Sequence, residues 1–496
     1  MTSITPRHRN TALLVAGCFF MEMLDGTIVS TAAPQIGASL RTSPTSVGLV
    51  VTAYLLTLAV LIPLSGWLTA RYGVRRIFLG AIALFTVASL GCALAGNLGE
   101  LVALRVVQGV GGAMMVPVGR LVVLSRTEKQ DIPRVMAYVV WPALIAPVLA
   151  PLLGGVITTY LSWHWLFLVN LPLGAAALAT AWRLIEDEPL PASAPLDWAG
   201  VLLTCAGLGG LTWAGHLVSA DGSGAGGASG TGGGSGSAAT AAIAAAVAAA
   251  SLLALAAAVR HLLRTAYPLL NLRTLKVTTF RAAVGAGSLF WVTVSAIPFL
   301  LPLLFQTVFG WSPVKSGAMV LFVFVGNIGI KPATTYLLNR FGFRPLLLTA
   351  SLGLAGSAVA CAFFTAGTPL PVIALVATVS GAARSLGLTC YSVITFSDVP
   401  GDLMRDANTL SATQQQTAAG LGVVAATVAL RIGDSATGLL PGAAPAAVAY
   451  GTAFCLLALL VLGATAGALR LRPGAGDAVR RVPGRAPAKR PGPVSG

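Results

Sequence analysis

Two carboxylates, Glu22 and Asp25, interrupt an apolar run that begins at Thr11. Spaced three residues apart, they share one face of any helix formed there. A charge at the centre of a helix in lipid costs about 2.5–3.5 kcal/mol, so both must face a cavity or a partner. Desolvation and mutual repulsion each favour a bound proton on at least one of them near neutrality, which is the property a proton carrier needs. A structural pair hydrogen-bonded to neighbouring helices is the alternative for the same residues. Arg105, in a later apolar stretch, is the opposite charge, at comparable depth when helices rise 1.5 Å per residue. Competition between a proton and Arg105 for a carboxylate would let protonation alter helix packing, whereas a permanent ion pair would serve assembly alone. Lys331 and Arg384 are further embedded cations with no deep acidic residue in their own half. Contact with an anionic substrate group, long-range pairing with the first helix, and hydrogen bonding to carbonyls or to Gln414, Gln415 and Gln416 are all open to them.

Other chemistries find little support. The chain has no GxSxG, HExxH or phosphate-binding GxxxxGK, and His8, His164, His216 and His261 are scattered, so no enzyme activity, metal or cofactor is expected. A GxGxxG match at Gly222, Gly224 and Gly227 sits in a Gly/Ser-rich stretch with no strand before it, and is an accident of composition. The six cysteines lie in or beside apolar segments without a CxxC pair and are expected to be small buried side chains.

The elements that must hold these groups follow from composition. Of 496 residues, 56% are hydrophobic and 9% charged, against about a quarter charged in a soluble domain. Near-continuous apolar stretches such as Val47 to Leu68 and Ile77 to Ala95 match crossing helices of about 20 residues and lack the alternation of barrel strands. Fourteen spans are placed, near 11–33, 46–69, 77–97, 100–124, 135–158, 164–182, 198–218, 238–259, 282–305, 316–338, 345–366, 371–396, 406–430 and 446–469. The fold class is therefore an all-α membrane protein, with two six-helix halves (1–183 and 277–470) around two extra helices (184–276) and a basic, disordered tail (471–496).

The net charge of +16 would suggest nucleic acid in a soluble protein. Here the basic residues sit between spans, so nucleic acid is not an expected partner and the lipid bilayer is. Arg71, Arg75, Arg76, Arg120, Arg126, Lys129, Arg183, Arg260, Arg340, Arg344 and the tail residues all fall on one side if both termini are cytoplasmic, the orientation the positive-inside bias selects. Residues 219–237, almost only Gly, Ser and Ala, suit a flexible external loop. The sequence from Arg71 to Arg76 (RYGVRR) is echoed by Arg340 to Pro345 (RFGFRP), the mark of an internal repeat between related halves. Pro142, Pro147 and Pro151 with Gly154 and Gly155 point to a hinge or a tight inter-half contact in the fifth span. Trp163, Trp165 and Phe167 at the next turn suggest interface aromatics.

Taken in order, these residues resemble the major facilitator superfamily, in its fourteen-helix drug:proton antiporter branch. Leu24-Asp25-Gly26-Thr27-Ile28-Val29 with Ala33-Pro34 is similar to that branch's helix-one motif, and Gly66 to Arg76 to the signature between helices two and three. Leu101, Arg105, Gln108, Gly109 and Gly111 match the helix-four motif, Ala150-Pro151 with Gly154-Gly155 the antiporter motif of helix five, and Trp163 to Pro172 is also typical. The resemblance implies alternating access and proton-driven export of small amphipathic molecules across the cytoplasmic membrane. It also implies coupling roles for Asp25 and Arg105, and gating by the segment holding Gly66, Arg71, Gly73, Arg75 and Arg76. Ala70 stands where the family pattern has Asp, and Val74 where it has a basic residue, so an interaction made by that Asp is absent or replaced. A selective exporter of one metabolite has the same architecture, and a non-transporting sensor is the rival of another class.

Overall fold

The computed structural model describes residues 6–42, 44–125, 127, 131–186, 195–224, 234–436, 445–471 and 475–476. The first half of the chain forms α1 (Pro6–Ile28), α2 (Ala33–Ser39), α3 (Pro44–Leu61), α4 (Ser65–Tyr72), α5 (Val74–Leu94), α6 (Leu98–Ser125), α7 (Ile132–Tyr160), α8 (Trp165–Leu168) and α9 (Asn170–Leu184). Next come α10 (Trp198–Gly224) and α11 (Gly234–Arg264), packed on each other. The remainder forms α12 (Thr278–Leu303), α13 (Pro313–Gly329), α14 (Lys331–Phe341), α15 (Phe343–Ala362), α16 (Leu370–Ser397), α17 (Met404–Ala436) and α18 (Pro445–Leu469).

No strand occurs among the described residues. Twelve helices there are long and apolar enough to cross a membrane, and the pair α13–α14, bent by 48°, passes the same test as one broken span. Lipid supplies no partners for backbone N–H and C=O groups, so such runs close their hydrogen bonds within the helix.

Proline and glycine set the interruptions. Pro63 lies in a 3-10 turn, Ile62–Leu64, that joins α3 to α4, and Pro332 follows the bend between α13 and α14. Each removes one backbone donor and crowds the preceding turn. Ten residues beyond each proline stands a glycine with positive φ, Gly73 at 87° and Gly342 at 83°. Both close the helix before them, Gly73 N–H donating to the Thr69 carbonyl at 3.0 Å and Gly342 N–H to that of Leu338 at 2.9 Å. L side chains rarely adopt that conformation, whereas glycine does so without penalty. The internal repeat is thus a Pro-to-Gly unit longer than the basic turn itself.

Span five, with its three prolines, runs as one helix, α7, and a side chain on Gly155 would meet open space. Two sequence expectations change. The Gly/Ser-rich segment is helical at both margins, 219–224 ending α10 and 234–237 opening α11; residues 225–233 lie outside the described residues, as does nearly all of the basic tail. Trp163 is buried, stacked on His164 at 3.9 Å and edge-on to Phe167 at 6.1 Å, and Phe167 is buried too. Only Trp165 of that trio is exposed.

The two halves meet through α7, which packs on α13, α14 and α16, and through α4 and α6, which meet α17. Helix α10 lies against both α3 and α17.

Candidate functional site

Asp25 occupies the centre of a buried polar cluster built from four helices. Arg105 of α6 forms a salt bridge to it, Arg105 Nη1 donating to Asp25 Oδ2, with both side chains fully buried. Gln108, one turn further along α6, donates to Asp25 Oδ1 at 3.1 Å, and Asn170, the first residue of α9, donates to the same oxygen at 2.8 Å. Beneath them Ser89 of α5 accepts from Gln108 at 3.2 Å and from Asn170 at 3.0 Å, and donates to the Phe167 carbonyl at 3.0 Å. The guanidinium is satisfied in turn by Gln108 Oε1 at 2.8 Å and the Val50 carbonyl at 3.3 Å. It lies over the Tyr54 ring, 4.3 Å from the centroid. Both Asp25 oxygens therefore have donors, a charged one on Oδ2 and two amides on Oδ1.

Glu22 is placed differently. One turn earlier on α1, it is 5% exposed, and its Oε2 has no hydrogen-bond partner. A buried carboxyl oxygen without a donor is costly when charged and tolerable when the group carries its proton. Arg120 of α6 lies within electrostatic reach of Glu22. Near the end of α6, where a solvated basic residue was expected, Arg120 is instead 8% exposed. Helix α6 continues to Ser125, so Arg120 lies more than a turn inside it. Its Nη1 and Nη2 reach Gln415 Oε1 of α17 at 3.4 and 3.5 Å. Asn408 of α17 donates to the Pro117 carbonyl of α6 at 2.8 Å, a second tie between the halves at the same end.

The residues from Gly66 to Arg76 lie at that end as well. A Cβ on Gly66 would sit 2.6 Å from Thr409 Oγ1, so this helix pair depends on the missing side chain. Arg75 donates to the Trp182 carbonyl at 3.1 Å and stacks on the Trp182 ring at 5.3 Å, while Arg71 and Arg76 are exposed. Ala70 brings no carboxylate here. Two acidic groups, Asp406, which accepts from Asn271 at 2.8 Å, and Asp197, line a small cavity of about 190 Å³ with Trp67 of the same helix as Ala70. Asp197 accepts from Gly200 N–H at 2.8 Å, from Leu269 N–H at 3.3 Å and from His261 at 2.7 Å. Burial opposes its charge, but these donors prevail and hold the carboxyl below its ordinary range.

On α7, Pro147, Pro151, Gly154 and Gly155 lie within one unbroken helix, with Gly154 buried and Gly155 exposed. Lys331 is 9% exposed and donates to Thr389 Oγ1 at 2.7 Å. Arg384 is half-buried, with its Nε unpartnered. Two of the three glutamines considered as their partners are engaged elsewhere: Gln414 donates to Ser288 at 2.9 Å, and Gln415 accepts from Arg120 and donates to Ser411. From sequence, Ser89 had no role, Asn170 only a place in the Trp163 to Pro172 motif, and Arg120 only a topological one. The available signals were a lone Asn opening an apolar helix and an Arg set too far inside α6 to be a loop residue.

A sequence model described as Major Facilitator Superfamily matches residues 15–423. The protein named "Putative multidrug resistance protein MdtD" in Klebsiella pneumoniae subsp. pneumoniae is 34% identical over 426 residues, covering 86% of this chain and 87% of its own. Its namesake in Pectobacterium carotovorum subsp. carotovorum is 36% identical over 417 residues, covering 84% and 86%. Among solved structures, the proton:xylose symporter XylE bound to 6-bromo-6-deoxy-D-glucose aligns with a TM-score of 0.64 at 14% identity, over 96% of this chain and 98% of that one. The human organic anion transporter MFSD10 aligns at 0.62 and 16%, over 92% and 100%. At such identities these two share the fold.

Proposed function

We propose, for a chain that belongs to the major facilitator superfamily, that Glu22 carries a proton inward while an amphipathic small molecule leaves the cell. The chain is a multi-pass membrane transporter of the drug-resistance type. The reading of proton antiport is carried by the contrast on α1: a fully donated Asp25 paired to Arg105, and a buried Glu22 oxygen with no donor. Asp25 and Arg105 hold α1 against α6, and Glu22 is the group that loads and unloads.

Arg120 supplies the coupling. The protonation state of Glu22 changes the charge that Arg120 meets, and with it the Arg120–Gln415 tie that holds α6 against α17. The contacts Gly66–Thr409, Pro117–Asn408 and Arg120–Gln415 all join the halves at the end carrying the Arg71–Arg76 turn. With both termini cytoplasmic, this is the closed inner gate. Arg75 anchors the turn to α9, and the Asn271–Asp406 bond ties α17 where Ala70 contributes no acid. In the same scheme α7, carrying Pro147, Pro151, Gly154 and Gly155, is the sliding contact between halves 1–183 and 277–470.

The architecture is read as fourteen crossings: the twelve apolar helices, the bent pair, and α7. One charge crossing 100 mV supplies about 2.3 kcal/mol, enough for roughly a fiftyfold gradient of a neutral substrate per proton. The relatives' name supports drugs or toxic compounds as cargo, and the location that fits is the cytoplasmic membrane. Proteoliposomes given an inward proton gradient and a panel of amphipathic compounds test this. Compound-dependent proton movement supports antiport, and its absence across the panel overturns it.

A further inference from the structure

Lys331 opens α14 immediately after the 48° bend and is buried. Among the described residues no carboxylate pairs with it. Its acceptor is the Thr389 hydroxyl at 2.7 Å, a neutral group whose own hydrogen is given to the Ser385 carbonyl at 2.9 Å. An ammonium has three donors to place, and one neutral acceptor leaves the charge uncompensated.

The surroundings hold further unused polar capacity. Asn327, one turn before Lys331, is 1% exposed, and both its side-chain oxygen and nitrogen lack partners. A Cβ on Gly381 of α16 would sit 3.0 Å from the Asn327 nitrogen of the main chain, so these helices are in backbone contact there. From Gly381 the same face of α16 continues, four residues at a time, to Ser385 and Thr389. Ser385 Oγ is also buried without a partner. Asn327 and Lys331 on one side and Ser385 and Thr389 on the other therefore frame a seam that offers one ammonium, one amide and two hydroxyls, and no acid. Buried polar groups normally have partners, and three unsatisfied or under-satisfied ones, Lys331, Asn327 and Ser385, along a single seam call for a ligand. Arg384, adjacent to Ser385, adds a second positive charge in the same region.

We propose that this seam is a subsite for an anionic group of carboxylate type on the exported molecule, with Lys331 as its counter-ion and Asn327 and Ser385 as donors to its oxygens. The proposal rests on the transport reading and narrows it: preferred cargo is acidic or zwitterionic. A carboxylate has two acceptor oxygens in one plane, matching a charged donor and a neutral one side by side. A cargo with net negative charge also moves outward with the membrane potential while the proton moves inward, so voltage drives both steps.

The test uses the full chain in lipid nanodiscs and two fluorescent probes, a rhodamine with a free benzoate and its methyl ester, read by anisotropy. The native protein should bind the acid about tenfold or more tightly than the ester, and Lys331→Met should erase that difference while changing ester affinity by less than about twofold. Lys331→Arg should restore part of the preference. Asn327→Ala and Ser385→Ala, which keep the charge, should each weaken the acid selectively if Lys331→Met does not fold. No acid preference in the native protein, including binding of neither probe, overturns the subsite, as does equal weakening of both probes in every variant. Proton-coupled flux of the ester, measured separately, distinguishes the two readings: intact flux without acid preference removes the subsite and leaves transport standing.

Discussion

Asn170 holds Asp25 across 2.8 Å while the same amide reaches Ser89 at 3.0 Å. One short side chain at the start of α9 thus links α1 to α5 and fixes which way the Asp25 carboxylate faces. With Gln108 on the same oxygen and Arg105 on the other, the anion is clamped from several directions.

Asn170→Ala removes a donor to a buried charge, worth about 1.5–3 kcal/mol. The expected outcome is a lower melting temperature in detergent and slower proton-driven transport, with Asn170→Ser recovering less than half of the loss. Unchanged stability would show that Asp25 does not depend on this bond.

Gly66 faces Thr409 so closely that Gly66→Ala places a methyl 2.6 Å from the hydroxyl. The variant should disfavour the state in which α4 and α17 touch and lower transport severalfold. Gly66→Ala with Thr409→Ala removes the obstructing hydroxyl and should recover most of the activity. Cross-linking yield between introduced cysteines at this end, compared across the three proteins, reads the shift directly.

Arg120 and Gln415 form the tie assigned to the coupling. Gln415→Ala and Arg120→Gln should each reduce uphill transport. In a double-mutant cycle their effects should be strongly non-additive, by about 0.5–3 kcal/mol, because they share one contact. Additive losses would place the two residues in separate roles.

Asp197 caps the start of α10 and accepts from His261 near the end of α11. Its carboxyl is held below the ordinary value, so its stabilising effect is fully present above the unfolded carboxyl's pKa of about 3.9 and is lost as pH falls through the lower folded value. Asp197→Asn should therefore lower the melting temperature at pH 7 and flatten its acid dependence below about pH 4. A variant whose melting curve shifts equally at every pH would contradict the assignment.

Helix positions were legible in the sequence because long apolar runs have one solution in lipid. Among the described residues, twelve helices long and apolar enough to cross, and the bent α13–α14 pair, fall on stretches singled out for crossing. The breaks were not legible, because the residue type that signals them occurs where they are absent. Pro142, Pro147 and Pro151 sit in an unbroken α7, whereas single prolines, Pro63 and Pro332, accompany the real interruptions. Neighbouring groups in a membrane bundle can satisfy the carbonyls a proline frees, so proline count does not measure bending. The informative signal was positional: the same ten-residue spacing from proline to a positive-φ glycine in both halves. At the site, Asp25 and Arg105 were visible as charges in apolar surroundings. Asn170 and Ser89 were not, since uncharged polar residues are unremarkable until a chain folds them onto one carboxylate. Trp163 misled because it adjoins a turn, yet the turn tucks it into the core.

The central claim is that Glu22 exchanges protons in the transport cycle while Asp25 maintains the paired site. Proton movement into proteoliposomes, recorded with an internal pH dye on adding substrate, tests it in the native protein, Glu22→Gln, Asp25→Asn and the double variant. The account predicts substrate-dependent proton movement in the native protein and loss of it, by about tenfold or more, in each variant. Uphill flux and proton movement unaltered in both single variants and in the double would contradict it.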